Sequence, residues 1–322
     1  MDREEKHTRE SEKRTERGGS GRSPANPDAR RRKSADRRKK ASASGAQRRG
    51  QGKRGADGHG KKRRRRSAFN IGSTVVLIAA VCVFVFSLYQ LVTMLVPYYS
   101  GGQEYDKIRD LAITVDDTGG ETGEDGSGGF SVDFDVLLEE NEDTVAWIRF
   151  DEPSIINYPV VKSADNSDYL TKTFTANDNK LGAIFVDYRN ASDFSDRNTF
   201  IYGHHLNVGG EMFSELVEYE DESFCRENPY FYIYTPDGKV RTYTVFSAGV
   251  VKDTAENYNI TYNSDEDFEN YINLCRESSN YQVDVEVNAQ SKIVSLSTCT
   301  NVRDDERFLV QGVLTSEEPA GQ

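Results

Sequence analysis

Three side chains that together can open an amide bond stand in a fixed order along this 322-residue chain: His204, Cys299 and Arg307. A thiol attacks carbonyl carbon only as thiolate. Its ordinary pKa of about 8.5 leaves it mostly protonated at neutral pH, so it needs a base or a positive neighbour. An imidazole with an ordinary pKa near 6.5 can take and return that proton. A guanidinium offers a rigid fork of donors suited to a carbonyl oxygen that is gaining charge. The chemistry these residue types allow is acyl transfer through sulfur.

Each of the three sits where a strand would present it. Lys292-Ile293-Val294 opens an apolar, β-branched run that continues through Ser295-Leu296-Ser297-Thr298, which places Cys299 at or just past a strand end. Thr199-Phe200-Ile201 leads into Tyr202-Gly203-His204-His205, and Arg307 opens Phe308-Leu309-Val310-Gln311-Gly312-Val313-Leu314. His205 is the alternative to His204, and Arg303, in the loop 301–306, the alternative to Arg307. Asp304 or Asp305 could orient the imidazole, and the spacing selects neither. Papain-like enzymes place Cys near the mature N-terminus with His downstream. Here His204 precedes Cys299 by 95 residues, which argues against that arrangement.

Wording and order together carry more than any one residue. Tyr202-Gly203-His204-His205, then Leu296-Ser297-Thr298-Cys299-Thr300, then Arg307-Phe308-Leu309-Val310 resemble the sortases, specifically their class B group. Further landmarks occur in the expected order: Ala146-Trp147-Ile148, Tyr158-Pro159-Val160-Val161, Asp165 to Leu170, Gly182-Ala183-Ile184-Phe185-Val186-Asp187, and Glu211-Met212-Phe213. The resemblance covers about residues 136–316. It implies a membrane-anchored cysteine transpeptidase with Cys299 as nucleophile, His204 as acid/base and Arg307 as oxyanion partner. Its donors would be secreted proteins with a C-terminal sorting signal of an Asn-Pro-x-Thr type, and its acceptor amine a peptidoglycan precursor or a pilin. The alternative from another class is a sortase-fold docking or assembly module without transpeptidase activity. Ser295 stands where the family pattern has Thr, a change that keeps the hydroxyl.

The elements behind these residues divide by composition. The net charge of −12 hides two opposite parts: residues 1–66 carry 25 Lys and Arg against 9 Asp and Glu, and the other 256 residues carry 16 against 44. The first part, with almost no large apolar residue, cannot bury enough surface to offset the entropy of ordering and reads as a disordered basic cytoplasmic tail. Its block Lys61 to Arg66 resembles a nucleic-acid patch by composition, but no nucleic-acid partner is expected because an apolar run follows directly. From Ser67 to Gln103 there is no charged residue. Residues 67–97 are therefore expected to form a transmembrane signal anchor, embedded through 71–96, with the basic tail inside and the rest outside.

Residues 98–135 read as a stalk ending in an acidic, Gly-rich linker over 116–129. Residues 136–316 read as the catalytic domain and 317–322 as a tail. Within the domain, short β-branched and aromatic runs bounded by Gly, Asn, Asp and Pro give eight strands, near 145–150, 158–162, 183–187, 199–202, 230–235, 239–251, 292–297 and 308–315. The fold expected is mainly β, an eight-stranded closed sortase-like barrel with inserted helices, preceded by one transmembrane helix. Helices are expected over 133–140, 212–219 and 265–278, the last with Ser264 as N-cap. The resemblance gives that long helix the task of walling the substrate groove; the alternative is a helix that covers a barrel edge.

No cofactor and no metal site are expected. His204 and His205 are adjacent, and His7 and His59 fall in the tail, so zinc-site spacing is missing. The acidic loop 187–196 lacks the spacing of a calcium-binding EF-hand loop and reads as a solvated turn. Cys82 lies in the membrane run. Cys225 and Cys275 are either a disulfide or two buried free thiols.

Overall fold

The computed structural model describes residues 68–115 and 129–320. The basic tail and most of the acidic linker lie outside the described residues. Helix α1 (Ala68–Ala112) is the first described element and the one described helix long and apolar enough to cross a membrane. Its side chains over 71–96 are almost all exposed. The helix does not stop at residue 97. It runs on through Pro97 and the Gly101-Gly102 pair, and its last turns belong to the folded domain, with Tyr105, Ile108 and Ala112 buried at helical spacing. The expected stalk is thus in part a docked helix.

A short ribbon follows, in which β1 (Ile113–Val115) pairs antiparallel with β2 (Phe130–Val132). Helix α2 (Phe134–Glu140) starts where the sequence places it, with the Asp133 carboxylate accepting from the N–H groups of Asp135 and Val136. Then come the barrel strands β3 (Thr144–Phe150), β4 (Asn157–Val161), β5 (Ile184–Val186), β6 (Asn198–Tyr202), β7 (Tyr230–Thr235), β8 (Lys239–Lys252), β9 (Ile293–Cys299) and β10 (Glu306–Pro319). They close in the order β10-β8-β7-β3-β4-β5-β6-β9. Side chains pack both faces of the barrel wall, Trp147, Tyr232 and Tyr234 on one and Phe231 on the other, all at 2% exposure or less. β10 runs on to Pro319 against Lys239, so the first three residues of the expected C-terminal tail are strand.

Two pairings in this otherwise antiparallel barrel are parallel, β4 with β5 and β6 with β9. The second decides the site. Because β6 and β9 run the same way, Tyr202 lies level with Ser297, and the residues that follow each strand leave the barrel at one rim.

Helix α3 (Glu222–Glu227) was not expected as a separate element. The segment expected as a helix over 212–219 is a 3₁₀ helix over Ser214–Glu220. Helix α4 (Asp265–Ser278) has Ser264 as N-cap, its hydroxyl accepting from Asp267 N–H. Its buried face, Phe268, Tyr271, Ile272 and Cys275, packs with Phe246, Ile293 and Val313 on the outside of the barrel. Cys225 and Cys275 are buried free thiols. Cys225 belongs to the main core and Cys275 to the cluster under α4, which rules out the disulfide alternative.

Candidate active site

The rim where β6 and β9 end is stitched by hydrogen bonds between the two chain segments. Gly203 N–H donates to Ser297 O (3.2 Å), and the Thr298 hydroxyl donates to Gly203 O (2.8 Å). One step further out, the His205 ring Nδ1 lies 2.9 Å from Cys299 O, and the Asn301 amide donates to His205 O (2.9 Å). The antiparallel partner β10 begins at the same rim, with Arg307 directly opposite Cys299. Parallel β6/β9 and antiparallel β9/β10 together converge His204, Cys299 and Arg307 from strands that are far apart in sequence.

The three side chains line one cavity of 220 Å³. Asn166, Leu170, Phe185, Tyr202, Ser297 and Thr298 complete much of its wall. Arg303 and His205 are not among its lining residues. Arg303 is an exposed partner of Glu306 (3.0 Å), and the His205 ring is turned to the backbone of Cys299. None of the lining residues comes from α4; they come from the ends of β5, β6, β9 and β10 and from the segments around Asn166, Leu170 and His204.

The His204 ring is held from two sides. Its Nε2 is 2.7 Å from Leu170 O. A carbonyl only accepts, so Nε2 carries the hydrogen and Nδ1 is the nitrogen left for proton transfer when the ring is neutral. Against the ring edge lies Gly182 at φ +67°; a Cβ there would come within 2.7 Å of His204 Cδ2. Neither acidic candidate takes this orienting part. Asp305 binds Lys252 (2.9 Å), which holds its carboxyl below the ordinary range, and Asp304 meets the site through its backbone carbonyl.

Arg307 is anchored on its own hairpin: Nη1 donates to Asp304 O (2.8 Å) and Glu306 O (2.9 Å), and Nη2 lies 3.7 Å from Asp253. This fixes the plane of the guanidinium beside Cys299 while leaving further donors for a ligand. Behind Ser297 lies an aromatic pair outside the cavity lining. Tyr258 stacks on Phe200 (5.3 Å between centroids) and shares a 2.7 Å hydrogen bond with the Ser297 hydroxyl. Burial pushes the Tyr258 phenol up to about 12, so it stays a neutral hydroxyl group.

The wall opposite is tied to a buried carboxylate. Asp187 accepts from the Tyr202 hydroxyl (2.9 Å), the Asn166 amide (3.0 Å) and, through two nitrogens, Arg189 (2.8 Å each). Burial raises its pKa, but Arg189 and the other donors more than offset that and leave it at about 2. The loop read as a solvated turn is therefore anchored by a fully buried aspartate at its start, with Asp196 receiving Asn190 and Ala191 N–H at its end. Asn166, Leu170 and Gly182 belong to motifs visible in the sequence. The part of Leu170 and Gly182 around the imidazole is not legible there, because the contacts are made by a backbone carbonyl and by a missing side chain.

The Sortase domain family model matches residues 151–315. Sortase B of Listeria monocytogenes is 34% identical over 185 residues, 56% of this chain and 73% of that protein. The chain belongs to the class B sortases. Sortase B of Staphylococcus aureus is 34% identical over 167 residues, covering 52% of this chain and 67% of that protein. The crystal structure of Clostridium perfringens sortase B superposes with a TM-score of 0.54 at 28% identity, over 57% of this chain and 100% of that one. The fold is the sortase barrel, and the enzyme is a cysteine transpeptidase.

Proposed function

We propose that this sortase cleaves the C-terminal sorting signal of secreted proteins through a thioester on Cys299 and passes the acyl group to an amine of a peptidoglycan precursor or a pilin. The observation that carries the assignment is the convergence of Cys299, His204 and Arg307 on one cavity at one rim of the barrel. The Cys299 thiolate attacks the scissile carbonyl carbon, and the developing oxyanion is met by free donors of Arg307. The C–N bond breaks as His204 gives a proton to the leaving amine, leaving an acyl thioester. An incoming amine loses its proton to His204 and displaces the sulfur, so protons and charge return to the starting state. Water in place of the amine gives hydrolysis.

The apolar part of α1 anchors the enzyme in the membrane, with residues 1–66 on the cytoplasmic face and the barrel outside, as the positive-inside rule favours. The basic tail then lies against anionic lipid. An Asn-Pro-x-Thr type of signal is the first to try, on the strength of family similarity.

The test is intact-mass spectrometry of the chain mixed with sorting-signal peptides, with and without an added amine. A peptide-sized adduct that needs Cys299 and His204 and turns over with amine is expected. If Cys299→Ala still processes such peptides, the assignment fails.

A further inference from the structure

The last turns of α1 touch the very segment that holds His204. The Tyr105 side chain, 1% exposed, donates its hydroxyl to Gly182 O (2.8 Å) and accepts from Phe174 N–H (3.2 Å). Gly182 packs against the edge of the His204 ring, and its neighbour Ala183 donates N–H to Tyr169 O (2.9 Å), one residue before the carbonyl that binds Nε2. A second strut runs alongside: the Asn179 amide donates to Pro97 O (2.9 Å) while its oxygen accepts from Leu181 N–H (3.0 Å). The Gly101-Gly102 pair allows this approach. A Cβ at Gly101 would meet Leu181 Cδ2 at 2.9 Å and Asn179 Nδ2 at 3.1 Å. The phenol ring of Tyr105 is itself fixed, edge-on to Tyr158 at 5.4 Å.

We propose that Tyr105 is a positioning residue of this enzyme: through Gly182 it sets where the His204 imidazole sits and which ring nitrogen it leaves free. The hydroxyl does this because it bridges two backbone groups of one loop, Phe174 N–H and Gly182 O. Without it, the Gly182 turn and the 169–170 carbonyls can shift together. The consequence is that the helix continuing from the apolar segment is part of the active-site scaffold, beyond its use as a tether. The proposal rests on His204 being the acid/base of the proposed function.

The experiment uses the full chain in detergent or nanodiscs, labelled with ¹⁵N-histidine, and compares wild type with Tyr105→Phe, Asn179→Ala and Glu104→Gln. Glu104 lies on the same turn and binds Thr175 through its N–H (3.1 Å) and hydroxyl (2.7 Å), without touching Gly182. It therefore reports helix docking alone. Two readouts are taken: the His204 ring tautomer in alkaline buffer, from its ¹⁵N shifts, and kcat and KM with a fluorogenic Asn-Pro-x-Thr peptide and triglycine.

Wild type and Glu104→Gln should show the Nε2–H form. Tyr105→Phe should show mixed tautomers and a kcat lower by about tenfold at unchanged KM, with Asn179→Ala shifting the same way. A wild-type tautomer in Tyr105→Phe overturns the proposal, as does a Glu104→Gln variant that shifts as far as Tyr105→Phe. His204→Ala separates the two readings. If it keeps turnover, the acid/base assignment falls while the tautomer measurement still judges the brace. If it abolishes turnover and Tyr105→Phe matches wild type, only the brace falls.

Discussion

Replacing Gly182 with alanine tests the geometry around His204 most directly, and two separate penalties follow from the structure. Gly182 has φ +67°, where an L residue other than glycine costs about 1–2 kcal/mol. The added Cβ would also stand 2.9 Å from Tyr169 O and 3.0 Å from Leu170 O, two backbone atoms of a segment pinned by Ala183 N–H and by His204. Stability should therefore fall by roughly 2–3 kcal/mol, the backbone term plus a modest repacking term. The third contact, 2.7 Å to His204 Cδ2, falls on a ring that can move, and ordinary contact begins at 3.4 Å. The imidazole must give by about 0.7 Å, and a displacement near 1 Å of a reacting group costs on the order of 100-fold in rate. Denaturant unfolding measures the first effect. Steady-state transpeptidation at a temperature where the variant is fully folded measures the second. A Gly182→Ala protein that is folded and within threefold of wild-type kcat/KM would refute the claim that this glycine is the seat of the histidine ring.

Three other perturbations have defined outcomes. Asp187 is held at about 2 against an ordinary value near 3.8, so its folded-state pKa is depressed; its stabilisation is complete above about pH 5 and lost as pH falls through 2. The shift corresponds to roughly 2 kcal/mol. Acid unfolding of wild type against Asp187→Asn should show the stability difference shrink by that much between pH 5 and pH 2, and a constant difference would refute it. Ser295 is fully buried, donating to Asn198 Oδ1 (2.9 Å) and accepting from the Gln311 amide (2.9 Å). Ser295→Ala leaves both short of a partner and should cost about 2 kcal/mol by urea unfolding while kcat holds; a loss below about 0.5 kcal/mol would count against the network. Among the domain's thiols, burial pushes Cys275 up to about 11 and raises Cys225 as well, and both are free. The native domain, taken without the apolar part of α1 and its Cys82, should therefore yield one fast-reacting thiol, lost in Cys299→Ala, with the other two appearing in denaturant and no change in melting temperature on adding reductant.

Most of the barrel is legible in the sequence because its strands are short β-branched and aromatic runs cut by turn residues, and local pattern suffices for such segments. All eight barrel strands lie within a few residues of their expected positions. What local pattern misses is set by distant contacts. The β1/β2 ribbon joins three-residue strands across a linker, and neither is distinguishable from loop until its partner is known. The break placed at residue 97 follows the end of the apolar run, and Pro97 and Gly101-Gly102 are locally unfavourable to helix. In the structure the helix continues because the two glycines let it approach Asn179, Leu181 and Glu211, and burial of Tyr105, Ile108 and Ala112 outweighs the local cost.

The site divides the same way. Cys299, His204 and Arg307 are legible as side chains, and strand order brings them to one rim. The partner that orients the imidazole is not, because a search by residue type looks for a carboxylate such as Asp304 or Asp305, whereas the acceptor is Leu170 O. The difference bears on the chemistry. A carboxylate would fix the tautomer and also add a negative charge that favours the imidazolium, while a carbonyl fixes the tautomer with a dipole alone. In the acid/base role proposed for it, the ring would give a proton to one amine and take one from another within a single turnover, work served by an orienting group that favours its charged form less. Asp187, the buried carboxylate behind the Tyr202 wall of the cavity, is itself paired with Arg189.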